Sequence, residues 1–580
     1  MLNAIWSRLA QFTLQDGTLF AIALTLFWFV PRFMDGFFAA FEAAGARLAR
    51  KKLPAILAIA WAVIVLRLCA LSWMPIPFPQ AHDEFSYLLA GDTFAHGRLT
   101  NPTHPLWVFF DTIHVNQLPT YMSKYPPAQG AILALGEVLG HPWIGVLLSC
   151  AAMCAAFLWA FQGWLPPQWA FLGTVLLLFR ISLFSYWINS YFGGAVAATG
   201  GALVIGAFPR IVRCWRTHDA FLLGLGVAIL ANSRPFEGFV FCIPIAFSLI
   251  FAIWRKRAEL WQTVIPRFLA PLCIVGVTCG FFMIYYNVRG TGHPFLFPYT
   301  VNDQLYSTIP VFAWQKPREP FHHTSLQLDE FYNGWERESW FDGRVNNLPT
   351  LRKAIVFDIV TLTHFCLSRE LCLVAPALLC LWGDKKFRFL LVQGVICVGA
   401  FVCVPWFWPH YAAPLVATIF LVISQSLRHL RRWSYQGRPV GVGLSRLIVL
   451  FVVFVTPARQ LGVGLSRLVV LFVVLVTPAR RQFHETTYEA SPGAMHDRER
   501  FSRQLSTIPG NHLVIVRYSE SHNIHSEWVY NEADIDHSKV VWAREIPGVD
   551  PGQLLAYFHE RRVWLAEPDA SPPRLTPFPQ

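Results

Sequence analysis

The sequence predicts an α-helical polytopic membrane protein, and two observations carry this prediction. Of the 580 residues, 54% are hydrophobic and only 14% are charged, a balance that is typical of membrane proteins rather than soluble domains. Apolar runs of roughly 17–25 residues, the length that a helix needs to cross a bilayer, recur along most of the chain. We therefore expect roughly 11–13 transmembrane helices, a large first extracytoplasmic loop and a small soluble α/β domain at the C-terminus.

The net charge of +12 would suggest nucleic-acid binding in a soluble protein. Here the basic residues form short clusters between apolar runs, as the positive-inside rule predicts for cytoplasmic loops. We therefore expect the lipid bilayer as a partner and no nucleic acid. Basic loops of this kind indicate a multi-pass protein, most naturally of a bacterial inner (cytoplasmic) membrane.

The N-terminal segment 1–52 contains an apolar run that Pro31-Arg32 and Asp35 interrupt. It is either a first span or a helix lying in the membrane interface, followed by a basic cytoplasmic segment. The next run begins at Leu53 and contains a single charge, Arg67. Because basic residues precede this run, its start is cytoplasmic and Asp83 emerges on the opposite side of the membrane.

Residues 53–438 form the predicted transmembrane core, with outer loops at 75–142 and 287–352 that are too polar to span. Arginine clusters at 210–216 and 255–257 both mark the cytoplasmic side. Since both clusters lie on one side, the chain between them must cross the membrane an even number of times. It therefore turns between residues 216 and 255 on the side of Asp83. This argument places Arg234 and Glu237 at the outer face.

After the core, residues 439–481 contain a segment of about 21 residues that is repeated almost letter for letter, and two copies are too few to build a solenoid. A local duplication of a membrane segment explains it, although whether one or both copies cross stays open, and with it the side of the tail. The tail, 482–580, is soluble in character. Its stretches at 512–518 and 539–543 are rich in β-branched and aromatic residues, which favours a small α/β or β-rich domain.

Topology gathers several titratable side chains on the outer side of the membrane. An ionisable residue held near a membrane face is a functional candidate because its burial is costly without a partner. Each one alone is equally consistent with a solvated loop charge or an ion-pair partner, so their convergence is the stronger observation. The candidates are Asp83, Glu84, Lys124, Tyr125, Arg234, Glu237, Arg289, His410 and Tyr411.

Four short motifs occur in a fixed order between about residues 53 and 427. They are an acidic pair after a span (Asp83-Glu84-Phe-Ser-Tyr87), Lys124-Tyr-Pro-Pro127, the Ser-Arg-Pro-Phe-Glu-Gly turn at 233–238, and His410-Tyr-Ala-Ala-Pro414. In this order and topology the chain resembles the GT-C superfamily of integral-membrane glycosyltransferases. The most similar branch is the protein-mannosyltransferase, aminoarabinose-transferase and lipopolysaccharide-core-transferase-like group.

The resemblance implies transfer of a sugar from a polyprenyl-phosphate donor to a glycan, lipid or protein acceptor on the outer face, with inversion. It also implies that a first-loop acid is the general base, with Asp83 the first choice and Glu84 the second. The leaving phosphate needs cationic contacts, for which Lys124, Arg234, Arg289 and His410 are candidates. Some relatives use a divalent metal and others need none. No spacing here is typical of a metal site, so no metal ligand is assigned and a divalent metal stays possible.

Two other classes of protein stay open on the sequence. A secondary transporter would have charged or broken helices near the bilayer midplane and pseudo-symmetric halves; Arg67, inside a span, favours this class. A membrane assembly protein without catalysis would tolerate replacement of Asp83 by Asn.

Overall fold

The structure is a computed structural model and describes residues 24–367, 375–455 and 494–579. The predicted fold class is confirmed: the described chain is mainly helical, with a large first outer loop and a small C-terminal α/β domain. The second copy of the repeat and its link to the tail lie outside the described residues. The predicted total of 11–13 spans and the domain boundaries in that region therefore stay predictions.

The membrane part and its loops contain helices α1 to α18 among the described residues. They are α1 Asp35–Arg50, α2 Lys52–Cys69, α3 His82–Ala95, α4 Pro127–Val138, α5 Pro142–Phe161, α6 Pro167–Leu177, α7 Gly194–Cys214, α8 Thr217–Ala231, α9 Pro235–Arg255, α10 Ala270–Thr291, α11 Pro298–Leu305, α12 Leu326–Asp329, α13 Gly343–Val345, α14 Leu348–Cys366, α15 Ala375–Leu381, α16 Lys385–Phe401, α17 Val416–Arg431 and α18 Val440–Leu450. Two strands, β1 Val115–Asn116 and β2 Met122–Ser123, pair antiparallel in the first loop.

Six helical segments among the described residues are long and apolar enough to cross a membrane, so the protein is an integral multi-pass membrane protein. They are Lys52–Ser72, Pro142–Phe161, Gly194–Cys214, Pro235–Arg255, Arg257–Thr291 and Ala413–Arg431. Two shorter apolar helices, Thr217–Ala231 and Val440–Val453, accompany them.

Arg67 and Arg446, the charges inside apolar runs, both have partners. Arg67 is fully buried and donates to Met74 O at 2.7 Å and to Asn189 Oδ1 at 3.0 Å. Arg446, in the first repeat copy, pairs with Asp35 at 2.6 Å and Glu42 at 3.1 Å. Arg67 therefore fixes the outer end of α2, and this contact removes the observation that favoured a transporter.

Helix α3 lies in the first outer loop and packs closely on α4. A Cβ added at Gly130 would meet the Ala90 Cβ at 2.6 Å, and one added at Gly91 would meet the Leu133 Cβ at 2.8 Å. Only glycine permits this approach of the two helices. The turn that parity placed on the outer side lies beside them, since Ala128 N donates to Asn232 O at 2.9 Å.

The C-terminal domain is an α/β unit, as expected. Its helices are α19 Ala494–Thr507 and α20 Gly552–Tyr557, and its strands are β3 His512–Val516, β4 Val540–Arg544, β5 Arg562–Glu567 and β6 Arg574–Pro577. The strand order is β4-β3-β5-β6, with β3 parallel to both neighbours and β6 antiparallel to β5. The domain packs on the first loop, so it lies on the same face as Asp83.

Candidate active site

A cavity of about 200 Å³ opens beside the first turn of α3. Its walls come from both outer loops, from the turn after α16 and from the C-terminal domain. The titratable side chains that line it among the described residues are Asp83, Asp303, Glu336, His82, His114, His525 and Lys124. An aromatic wall completes it with Tyr125, Tyr299, Phe331, Trp335, Trp406, Trp408 and Tyr411. Aromatic lining with a few convergent polar groups is the usual composition of a small-molecule site.

Asp83 is the acid that faces this cavity from the start of a helix. It lies in the first turn of α3, where the helix dipole favours a negative charge. Its Oδ1 is 2.9 Å from His114 Nδ1, and the residue is 8% exposed. Burial raises the pKa of Asp83, but His114 and Lys124 lower it further, so the pKa lies well below its usual range. The carboxylate is therefore ionised at neutral pH.

The hairpin of β1 and β2 brings His114 and Lys124 to Asp83, because His114 precedes β1 and Lys124 follows β2. His114 has a φ of +63°, a left-handed conformation that is uncommon outside glycine. The Ser86 hydroxyl holds this backbone by donating to His114 O at 2.6 Å. Burial lowers the pKa of His114 to about 4, so the imidazole is neutral and can donate one N–H to Asp83.

Glu84, the second acid of the pair, has a different role. It is 1% exposed, and its carboxylate accepts backbone N–H groups from Gln80 at 3.0 Å, Ala81 at 3.2 Å and Tyr191 at 3.0 Å. Burial raises its pKa to about 7 despite these hydrogen bonds. Glu84 caps the start of α3 and ties it to the segment before α7, and it does not line the cavity.

The predicted cations separate into those at the cavity and one away from it. Lys124 lines the cavity, with Nζ 5.4 Å from the centre of the Tyr125 ring. Arg234 lies behind Tyr411, with its guanidinium carbon 4.1 Å above that ring. Arg289 is exposed in the last turn of α10 and does not line the cavity.

His410 and Glu237 complete the outer end of the membrane core. His410 is 5% exposed and its Nδ1 lies 2.8 Å from the Tyr186 hydroxyl. It is close enough to Asp83 and Arg234 to interact with both electrostatically. Glu237 lies in the first turn of α9 beside Arg234. Of the predicted outer residues, those that line the cavity are Asp83, Lys124, Tyr125 and Tyr411. Arg234, Glu237 and His410 lie beside it without lining it, Glu84 is a helix cap and Arg289 is exposed.

Five of the acidic and basic cavity residues were not among the candidates of the sequence analysis: His82, His114, Asp303, Glu336 and His525. Asp303 and Glu336 come from the second outer loop, and Ser307 donates to Glu336 Oε2 at 2.6 Å. Burial raises the pKa of Glu336 to about 7. His525 comes from the C-terminal domain, where the sequence indicated no functional residue. The acidic character of 329–342 was the only sequence signal for Glu336; none pointed to His525.

One group of three possible metal ligands lies together among the described residues, away from the cavity. Ligand atoms of Asp92, His96 and Glu137 lie within 4.8 Å of one another. Asp92 is nine residues, or about two and a half turns, beyond Asp83 along α3. In the cavity, the neighbouring His82 uses Nδ1 to contact the Tyr530 hydroxyl at 2.9 Å. The arrangement around Asp83 therefore offers proton transfer and hydrogen bonding by the chain's own groups.

A larger cavity of about 820 Å³ lies away from Asp83, beside basic residues that the sequence predicts to be cytoplasmic. It is lined mainly by apolar side chains such as Trp28 and Trp433, with His429 and Arg432. No carboxylate lines it among the described residues. Size alone does not identify a reaction site, and the chemistry is concentrated around Asp83.

Comparison with solved structures returns ArnT from Cupriavidus metallidurans bound to undecaprenyl phosphate, at 12% sequence identity and a TM-score of 0.44, over 87% of this chain and 93% of that one. It also returns the Archaeoglobus fulgidus oligosaccharyltransferase AglB with an inhibitory peptide and a dolichol-phosphate, at 10% identity and a TM-score of 0.39, over 88% and 69%. No protein-family model and no curated protein matches the sequence.

Proposed function

We propose that this protein is a membrane glycosyltransferase that moves a sugar from a polyprenyl-phosphate donor to an acceptor on the extracytoplasmic face. The observation that carries the proposal is Asp83. It is an ionised carboxylate at a helix N-terminus, hydrogen bonded to a neutral His114, in a cavity at the outer end of a membrane core. The sequence motifs around it support the same reaction class.

Asp83 is the proposed general base. An acceptor hydroxyl is a poor nucleophile, and a positioned carboxylate that takes its proton as the new bond forms accelerates such a step by about 10²–10⁴-fold. His114 orients the carboxylate by its hydrogen bond. The bond between the acceptor oxygen and the anomeric carbon forms while the bond from that carbon to the phosphate oxygen breaks. One in-line displacement inverts the anomeric centre.

The leaving polyprenyl phosphate carries the developing negative charge. Arg234 immediately precedes the candidate span α9 and lies with His410 near Asp83, where the phosphate of a lipid in the bilayer would arrive, and Lys124 lies at the cavity. Guanidinium groups suit phosphate because their donors match two oxygens at once. We therefore assign the phosphate to Arg234, with Lys124 and His410 as further contacts.

The test is a transfer assay with the full-length protein in liposomes, using a panel of radiolabelled polyprenyl-phosphate sugars. We expect the wild type to release sugar from at least one donor, and Asp83→Asn to lose this activity by about 10²–10⁴-fold. Asp342→Asn, at a half-exposed acid of the second outer loop, is the matched control and should keep it. No release by the wild type from any donor, or full activity in Asp83→Asn, contradicts the proposal.

A further inference from the structure

The C-terminal domain shares one hydrophobic core with the first outer loop. The Tyr530 ring stacks on Phe85 of α3, with centres 4.2 Å apart and planes 2° from parallel. Arg498 of α19 lies 4.9 Å above the Phe85 ring, and it donates to Tyr530 O at 2.8 Å. Because Phe85 lies two residues after Asp83, the domain is packed directly against the helix turn that carries the proposed base.

Hydrogen bonds join this domain to both ends of α3. At the start, His82 Nδ1 is 2.9 Å from the Tyr530 hydroxyl. At the far end, the backbone N–H of Ala533 donates to Asp92 Oδ2 at 2.6 Å. The orientation of α3, and with it the His82 ring, therefore depends on the domain.

The domain also reaches the cavity itself. The His525 ring lies edge-on to Trp335, with centres 4.6 Å apart, and its centre is 5.9 Å from that of His82. His82 is 3% exposed. Within the described part of the chain, His82 Nε2 and His525 Nδ1 are shielded from solvent and have no hydrogen-bond partner. An unpaired buried polar atom is costly, so two such atoms side by side in a cavity indicate the place of a ligand group.

The chemistry of these groups selects the ligand. Burial lowers the pKa of His82 well below its usual range, and that of His525 to about 4. A neutral imidazole has one donor and one acceptor nitrogen, which matches a hydroxyl group, whereas it offers no charge to a phosphate or carboxylate. Trp335 beside them offers a flat apolar face, on which the C–H groups of a sugar ring can pack.

We propose that His82 and His525 form a subsite for the hydroxyl groups of a glycan acceptor, with Trp335 as its stacking platform and Tyr530 as the residue that positions His82. This inference rests on the proposed function, because it assigns the acceptor side of the same cavity. Asp83 then lies between two half-sites. The phosphate half, with Arg234 and His410, is at the membrane, and the acceptor half is under the C-terminal domain.

The test measures transfer of the sugar to two kinds of acceptor by the full-length protein in liposomes. The donor is the polyprenyl-phosphate sugar that the wild type uses. The acceptors are water and the methyl glycosides of mannose, glucose and galactose. We expect His525→Ala to raise KM for the glycoside about tenfold, the effect of losing one hydrogen bond in a buried site. Release to water, which needs no contact with a glycan hydroxyl, should change by a smaller factor than the reaction with the glycoside.

Tyr530→Phe removes one hydroxyl and keeps the ring stacked on Phe85. We expect it to raise KM for the glycoside in the same direction as His525→Ala, with thermal unfolding close to that of the wild type. The matched control is His537→Ala. His537 is an exposed histidine of the same domain that pairs with Asp534 at 2.9 Å, away from the cavity.

The outcomes separate the two proposals. No release from any donor contradicts the glycosyltransferase proposal itself. Release to water that no glycoside stimulates, or stimulation by a peptide instead, overturns the glycan subsite and leaves the glycosyltransferase intact. An unchanged glycoside KM in His525→Ala, or a parallel fall of both readouts, also overturns the subsite.

Discussion

The cavity side and the core side of the first turn of α3 carry adjacent carboxylates with opposite environments. Asp83 faces a cavity with a neutral imidazole and a lysine, which keep it ionised. Glu84 is turned about 100° around the helix axis into three backbone N–H groups. The comparison teaches that an acidic pair next to a membrane span contains one group available for chemistry and one that builds the site.

The largest effect should be the difference in activity between the two conservative amide variants. Asp83→Asn removes the proton acceptor and should lower transfer by about 10²–10⁴-fold. Glu84→Gln keeps one oxygen, which can accept the N–H groups of Gln80 and Ala81, and loses the acceptor of Tyr191 N–H, so transfer should fall by about tenfold or less. The measurement is kcat/KM for both variants with the donor that the wild type uses. Equal losses in the two variants would remove the distinction between the two acids.

The sequence identified Asp83 as the first choice for the base, but it could not show that Glu84 caps the helix, and both results have physical reasons. A carboxylate after a span identified Asp83, and the parity of basic clusters placed Arg234 at the same face. Both arguments depend only on order along the chain and on the bilayer. Asp83 and Glu84 are neighbours in the sequence, and only their directions around the helix axis distinguish them. The partners of Glu84 include Tyr191, more than a hundred residues away, so the sequence could not show which acid is a cap.

Other contacts between residues far apart in the chain could not be predicted from the sequence for the same reason. His525 meets His82 through the docking of a separate domain, and no local pattern encodes that docking. Arg289 and Arg234 were equivalent by topology, since both lie at outer ends of spans. Only the packing of the helices separates them, because Arg234 stacks on Tyr411 whereas Arg289 is exposed.

A smaller effect should appear in the pH dependence of stability. The folded-state pKa of Glu84 is about 7, above the ordinary value of 4.5, so the native state holds a proton that the unfolded chain releases. The wild type therefore loses stability as pH rises from 4.5 through 7. At 1.36 kcal/mol per pH unit, this loss is about 3 kcal/mol.

Glu84→Gln cannot titrate, so its stability relative to the wild type should improve by about 3 kcal/mol between about pH 5 and about pH 8. Unfolding in detergent at the two pH values measures this difference. Glu560→Gln, at an acid whose side chain is 88% exposed in the C-terminal domain, is the control and should track the wild type. If the free energy of unfolding changes with pH in the same way in Glu84→Gln and in the wild type, Glu84 does not take up a proton in the folded state.

The smallest effect concerns Lys124, whose charge helps to hold the pKa of Asp83 below its usual range. Lys124→Met should raise the pKa of Asp83, so the acid limb of the pH profile of kcat/KM moves to higher pH. At neutral pH Asp83 stays ionised, so the loss should be only about two- to tenfold, from weaker attraction of the phosphate. Lys386→Met, at an exposed lysine that does not line the cavity, should leave the profile unchanged. An acid limb that stays at the wild-type pH in Lys124→Met would contradict the action of Lys124 on the pKa of Asp83.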